Sequence, residues 1–264
     1  MDVTIQEAIA ALRAAGVPSA EHDARALQRF ADETGADFAA LVRRRAQRVP
    51  LQHLIGNAGF RHLVLDVGPG VFVPRPETEV VVDAVLAAAC ALPAPVVVDL
   101  CAGAGTIGLS VVHEHPTAVV HLVEKDPEAM TWLRRNARQV DAARAHLHLA
   151  DVAQALGELV GQVDVVASNP PYVAEDERAL VDPEVLDHDP QMALFAGDDG
   201  LDVIRVVERR ARELLKPGGR VVIEHSDRQG ESVPALLREH GWLDVADHDD
   251  LTGRPRFTTG RRPC

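Results

Sequence analysis

The sequence predicts an α/β protein: a mostly parallel sheet covered by helices on both faces, with a small helical domain in front of it. Three observations predict this. From Val96 onward short apolar runs alternate with helical patterns, as buried parallel strands and their crossover helices do. Residues 1–57 carry helical periodicity only. A chain of 264 residues, 47% apolar and 25% charged, is long enough for one large and one small folded unit and too apolar for wholesale disorder.

In the first unit Ile5, Ile9, Leu12 and Val17 form one apolar stripe. Ala24, Leu27, Phe30 and Ala31 form a second, and Leu41 with Val42 a third. Gly16-Val17-Pro18-Ser19 and Gly35 punctuate them. Between Phe60 and Val73 the period changes. Leu63, Leu65 and Val67 alternate, Gly68-Pro69-Gly70 offers a turn, and Val71-Phe72-Val73 follows, a pattern that predicts a β-hairpin. Pro74-Arg75-Pro76-Glu77-Thr78-Glu79 then stiffens the chain before a helix that begins near Glu79. The expected division is a helical domain over 1–57, a hairpin connector over 58–78 and an α/β domain over 79–264.

Within the α/β domain, strands are expected at Val96–Leu100, Val119–Glu124, His146–Ala150, Val163–Ser168 and Arg220–Glu224. Helices are expected at Thr106–His113, Pro127–Gln139 and Leu201–Leu215, the last closed by Lys216-Pro217-Gly218-Gly219. A long irregular stretch covers Pro170 to Gly200. The end offers a helix near Ser232–His240 and weaker strands at Trp242–Ala246 and Arg256–Thr259.

Charge and composition narrow the function. With 27 Lys+Arg against 40 Asp+Glu the net charge is −13, which opposes broad binding to phosphate backbones. The opening segment lacks a basic region followed by an apolar run, so no signal peptide is expected. The most apolar window, Val80 to Leu100, is interrupted by Asp83, Pro93 and Pro95, which argues against a membrane span. Cys90, Cys101 and Cys264 suit neither a disulfide framework nor a metal cluster, and a reducing cytoplasm is expected. His113-Glu114-His115 and His146-Leu147-His148 lack a third ligand at useful spacing, so no metal is expected. Asp187-His188-Asp189, and His248 among Asp247, Asp249 and Asp250, read as polar loops. Arg43-Arg44-Arg45 with Arg48 read as an exposed helix face, and Arg254, Arg256, Arg261 and Arg262 as a solvated basic tail.

Two segments carry chemistry. Asp99-Leu100-Cys101-Ala102-Gly103-Ala104-Gly105 joins a buried strand to a helix; glycines there admit a ligand close to the backbone, and the helix start favours an anionic group. Glu124 ends the next strand, 21 residues after Gly103, where an acidic side chain can hold ribose hydroxyls. Asp151 closes the third strand in the same way. Together they point to a nucleoside cofactor. The second segment is Ser168-Asn169-Pro170-Pro171-Tyr172. Asn169 offers a carbonyl acceptor, Pro171 keeps Pro170 extended, and Tyr172 adds a flat face. Two acceptors at fixed separation suit a planar NH₂ group.

Asn169-Pro170-Pro171-Tyr172 with Asp99–Gly105 resembles the amino-group branch of S-adenosylmethionine-dependent methyltransferases. Within that branch the chain resembles the protein-(glutamine-N5) methyltransferases that modify peptide chain release factors, the PrmC/HemK family. Pro50–Gly56, the connector Gly70–Glu79, Pro190–Phe195, Asp199-Gly200-Leu201 and Ile223-Glu224-His225 carry the likeness along nearly the whole chain. The resemblance implies a Rossmann-like S-adenosylmethionine-dependent methyltransferase domain, and a helical domain and connector that help recognise the substrate.

It further implies S-adenosyl-L-methionine as cofactor, with Cys101, Ala102, Gly103, Ala104 and Gly105 along its methionine part. Glu124 would hold its ribose, and Asp151 with Val152 would lie on the adenine side. Asn169, Pro170, Pro171 and Tyr172 would bind the glutamine amide of the release-factor GGQ motif, with Asn169 also near the methyl donor and Asn169, Pro170 and Tyr172 catalytic. The family commonly has Gly where this chain has Cys101, and a thiol side chain there gives up positive-φ freedom. A monomer without stable nucleic-acid binding is expected. The alternative reading is N-methylation of an exocyclic amino group of adenine or guanine, with base flipping if the target is paired.

Overall fold

The computed structural model describes residues 3–141 and 143–264; Met1 and Asp2 of the opening segment, and Ala142, lie outside the described residues. The helical region consists of α1 (Ile5–Ala14), α2 (Ala20–Thr34), α3 (Phe38–Ala46) and α4 (Leu51–Ile55). Thr4 and Glu7 close a capping box at the start of α1, and Asp37 caps α3. The three expected stripes meet in one apolar cluster, which includes Ile9, Leu12, Leu27, Leu41 and Leu54. Because a single amphipathic helix of this length is marginal in water, this shared burial is what holds the four together.

The hairpin forms, but not where the alternation places it. β1 (Asn57–Phe60) pairs antiparallel with β2 (Leu63–Asp66) across a two-residue turn, Arg61-His62. Arg61 takes φ 49°, and its guanidinium grips Glu114 through two bonds of 2.7 and 2.8 Å. Tertiary pairing therefore holds a turn that no glycine announces. Gly68-Pro69-Gly70 serves another purpose: it passes beneath Trp132, whose indole Nε1 donates to the Pro69 carbonyl at 3.1 Å. A Cβ on Gly68 would lie 2.6 Å from Trp132 Cζ2. Val71–Val73 pairs with no strand; Val71 instead packs beside Ala104 and Ala129.

A short 3-10 turn at Pro76–Thr78 leads into α5 (Glu79–Ala89). The chain then alternates through β3 (Val96–Leu100), α6 (Thr106–Glu114), β4 (Val119–Glu124), α7 (Pro127–Asn136), β5 (Ala145–Leu149) and β6 (Val163–Ser168). After α8 (Pro183–His188) come α9 (Asp202–Leu214), β7 (Leu215–Glu224), α10 (Ser232–Glu239), β8 (Leu243–Asp249) and β9 (Pro255–Arg261). The sheet runs β5-β4-β3-β6-β7-β9-β8. β3 to β7 are mutually parallel, while β9 runs antiparallel to both β7 and β8. Lys216-Pro217-Gly218-Gly219 does not delay the strand: β7 starts at Leu215, breaks register, and resumes at Arg220 opposite Val165. The basic tail is likewise no solvated end, since Arg256 and Arg261 belong to β9.

One apolar layer packs α5, α6 and α7 against one face of the sheet and takes in Phe60, Leu63 and Leu65 of the hairpin. A second packs α9 and α10 on the other face. Strand order reverses about β3, whose neighbours β4 and β6 leave it in opposite directions along the chain. In such sheets the crevice at the carboxyl ends of these strands is the binding position. The glycine loop, Glu124 and Asn169 all stand at that edge.

Candidate active site

Each site residue is placed by the element that ends beside it. β3 delivers the chain to Cys101, β4 to Glu124, β5 to Asp151 and β6 to Asn169. The buried Ser168 hydroxyl donates to the Leu100 carbonyl at 2.6 Å and ties the ends of β6 and β3 together. Glu124 ties the ends of β3 and β4. Its Oε2 accepts from the Gly103 amide, and its Oε1 from the amides of Lys125 and Asp126, each at 2.8 Å. Asp151 pairs with Lys125 at 2.7 Å, which holds its carboxyl below the usual range.

The loop between β3 and α6 is strained at one point. Cys101 adopts φ 64° without being glycine, a conformation that costs an L-residue roughly 1–2 kcal/mol. Its thiol is pushed up by burial and by the Glu124 carboxylate, so it is kept protonated and unreactive. Gly105 has φ 93°, and a Cβ on it would lie 2.5 Å from Leu109 and 2.7 Å from Leu133. It lets the loop settle on α6 and α7.

These strand ends open onto a cavity of about 610 Å³, within the range of ligand pockets. Its walls include Cys101, Ala102, Gly103, Ala104, Glu124, Asp151, Val152, Asn169, Pro170, Pro171 and Tyr172. Of the residues assigned from the sequence to cofactor or substrate, only Gly105 is absent from the wall; it stands behind it. The cavity also has a roof, made by Val185, Pro190, Met192 and Phe195, and a side made by the connector residues Phe72, Arg75 and Glu77.

Several wall and support residues hold positions that the sequence did not assign them. Asp99 is buried at the floor; its Oδ2 accepts from the Gly108 amide at 2.8 Å, while Oδ1 has no partner in the protein. Burial raises this carboxyl to about 7. Asp189, expected in a polar loop, is buried and binds Arg75 at 2.7 Å, which joins roof to connector. Burial lifts it to about 6 against the pull of Arg75. Arg45 and Arg48 are not an exposed helix face. Arg45 is 3% exposed, bound to Asp23 at 2.8 Å and to Glu184 of α8 at 2.7 Å. Arg48 reaches Asp182 at 2.9 Å. The helical region thus grips the segment that roofs the cavity, while Arg43 and Arg44 face solvent. Arg256 lines the cavity from β9 and contacts Asp250 at 3.3 Å. The charge run Arg43-Arg44-Arg45 was visible in sequence; which of its members turns inward was not, because that depends on Asp23 and Glu184 meeting it in three dimensions.

Comparison with known proteins bears on what this arrangement does. Residues 76–189 match the family model described as "Methyltransferase small domain". A protein named release factor glutamine methyltransferase from Streptomyces coelicolor is 47% identical over 98% of this chain and 96% of its own length. The chain belongs to the release factor glutamine methyltransferase family. Another relative comes from Streptomyces pristinaespiralis. That protein, named 4-amino-L-phenylalanine/4-methylamino-L-phenylalanine methyltransferase, is 44% identical over 76% of this chain and 69% of its own. Among solved structures, the catalytic domain of hMettl16 in complex with an RNA hairpin superposes with a TM-score of 0.61 at 14% identity, covering 84% of this chain and 81% of that one. At that identity the likeness concerns the fold. No helix among the described residues is long and apolar enough to cross a membrane.

Proposed function

We propose that this methyltransferase transfers a methyl group from S-adenosyl-L-methionine to the side-chain N5 of a glutamine in peptide chain release factors. The observation that carries the reading is the continuity of one cavity from the β3–α6 loop to Asn169-Pro170-Pro171-Tyr172, in a chain related over nearly its full length to proteins named for that reaction.

The residues present fit the cofactor. The orphaned Oδ1 of Asp99 is the acceptor that an ammonium group needs, and Cys101–Ala104 offer small side chains and backbone beside it. Glu124 would accept from ribose hydroxyls, and Asp151 with Val152 would flank the base. S-adenosyl-L-methionine supplies an electrophilic methyl on a sulfonium. Every other contribution comes from the chain. The amide nitrogen is a poor nucleophile because its lone pair is delocalised. Asn169 Oδ1 and the Pro170 carbonyl accept its two hydrogens, which directs the lone pair toward the methyl donor and stabilises the positive charge that develops on nitrogen. Pro170 and Pro171 carry no N–H to compete for those acceptors. Tyr172 packs its ring on the amide plane; its phenol stays protonated because burial and the Glu224 carboxylate push it up. The amide proton leaves during or after transfer.

The helical region, through Arg45 and Arg48, and the connector, through Arg75, hold the roof in place over the incoming glutamine. We assign 1–57 to substrate recognition, 58–78 to the connector and 79–264 to catalysis, in an enzyme proposed to act in the cytoplasm as a monomer. Methyl-labelled cofactor with release factor, with release factor lacking the target glutamine, with RNA or DNA, and with 4-amino-L-phenylalanine separates the readings. Label is expected on the intact release factor alone. Label on nucleic acid and not on protein would replace this reading with the base-methylating one.

A further inference from the structure

The carboxamide of Asn169 serves the reaction only in one of its two orientations, and the structure shows what selects it. Asn169 follows β6; Glu224 ends the adjacent β7, one position beyond the Ser168–Ile223 pair. Thr78 ends the connector turn that precedes α5. Thr78 and Glu224 are each 1% exposed, and neither lies on the cavity wall. Asn169 Nδ2 donates to Thr78 Oγ1 at 3.3 Å. The Glu224 carboxyl stands beside this pair on the neighbouring strand: burial raises it to about 7, the Thr78 and Asn169 side chains draw it back down, and its Oε2 has no partner in the protein.

We propose that Thr78 and Glu224 are positioning residues that lock the rotation of the Asn169 carboxamide, turning its NH₂ inward and presenting Oδ1 to the substrate amide. This rests on the proposed methyl transfer to an amide nitrogen. A carboxylate can only accept, and a threonine hydroxyl that donates to it has its lone pairs left for Nδ2. Rotating the carboxamide by half a turn would set Oδ1 against two oxygens and leave Nδ2 facing the substrate N–H groups, donor against donor. Since the two ends of an asparagine differ only in hydrogen bonding, such a lock is what makes Asn169 a defined acceptor. It also gives the connector a direct part in the chemistry, because Thr78 arrives on it rather than on the sheet.

Thr78→Val keeps the side-chain shape and deletes the hydroxyl. On release factor its kcat is expected to fall roughly tenfold, with KM for release factor and Kd for S-adenosyl-L-methionine within about twofold of wild type. Thr78→Ser is expected to restore turnover. Unchanged kcat in Thr78→Val, or a loss that Thr78→Ser shares, would overturn the lock. Should Thr78→Val fail to fold, Glu224→Gln carries the same test, since a neutral amide can turn its own NH₂ toward Asn169, and an unchanged kcat there would also overturn it. A readout without turnover separates this from failure of the proposed reaction. In the unliganded wild-type protein the Asn169 side-chain NH₂, identified by its loss in Asn169→Asp, should exchange slowly with solvent. In Glu224→Gln and Thr78→Val that exchange should quicken. Rapid solvent exchange already in the wild type would contradict the lock even if release factor is methylated.

Discussion

At the residue scale the proposed reaction turns on Asn169 and Asp99. As proposed, Asn169 contributes an acceptor whose value is greatest when charge builds on the substrate nitrogen, so its loss should fall on turnover. Asn169→Ala is expected to lower kcat about 100-fold or more while changing cofactor affinity little; calorimetric Kd beside single-turnover rates checks the split, and equal losses would contradict the role. Asp99 should show itself through pH. Its carboxyl is raised to about 7 by burial, and a bound ammonium favours the charged form. Cofactor binding therefore has to expel a proton below that value, and affinity should rise with pH up to about 7, by at most tenfold per unit, then level off. Titrations across that range check it, and Asp99→Asn should flatten the curve. Cys101 illustrates a different cost: a left-handed φ of 64° is tolerated in a loop that Glu124 pins through the Gly103 amide.

At the scale of elements, much of the sheet and its helices was legible because each strand reads as a short apolar run bounded by a turn. The ends of β3, β4, β5 and β6 were legible for the same reason, and with them Glu124, Asp151 and Asn169. The hairpin was not. Its turn depends on Arg61, which takes φ 49° while bound to Glu114 from a distant helix. The glycines that mimic a hairpin turn answer to Trp132 instead. Asp189 and Arg256 stayed hidden since their partners are supplied by other elements; Thr78 and Glu224 stood inside segments that carry the likeness, but their meeting with Asn169 depends on the fold. Arg45 belongs with them, and it carries a prediction about how elements hold together. Removing it takes the guanidinium from two carboxylates, leaving the buried Asp23 with only Ser19 and His22 and Glu184 with only Arg48 at 3.5 Å. Arg45→Ala should cost roughly 3 kcal/mol of stability, measurable by denaturant unfolding, and should lower turnover as α8 loosens over the cavity.

At the scale of the whole molecule, the architecture divides labour between the sheet and the helical region. The reversal of strand order about β3 opens the crevice proposed for the cofactor, while the helical region reaches across through Arg45 and Arg48 to steady its roof. A net charge of −13 shapes what can approach. Docking of a protein substrate should weaken only gently between about 50 and 200 mM salt, whereas a reaction on nucleic acid would weaken steeply over that range; KM for release factor measured across it tests the distinction.

The claim at the centre is that a glutamine amide nitrogen receives the methyl group. Fragmentation mass spectrometry of release factor after incubation with the enzyme and S-adenosyl-L-methionine addresses it most directly. One added methyl located to the side chain of the GGQ glutamine, and absent when Asn169→Ala replaces the wild-type enzyme, is the result expected. A methyl on any other residue, or a release factor left unmodified by an enzyme that binds the cofactor, would contradict it.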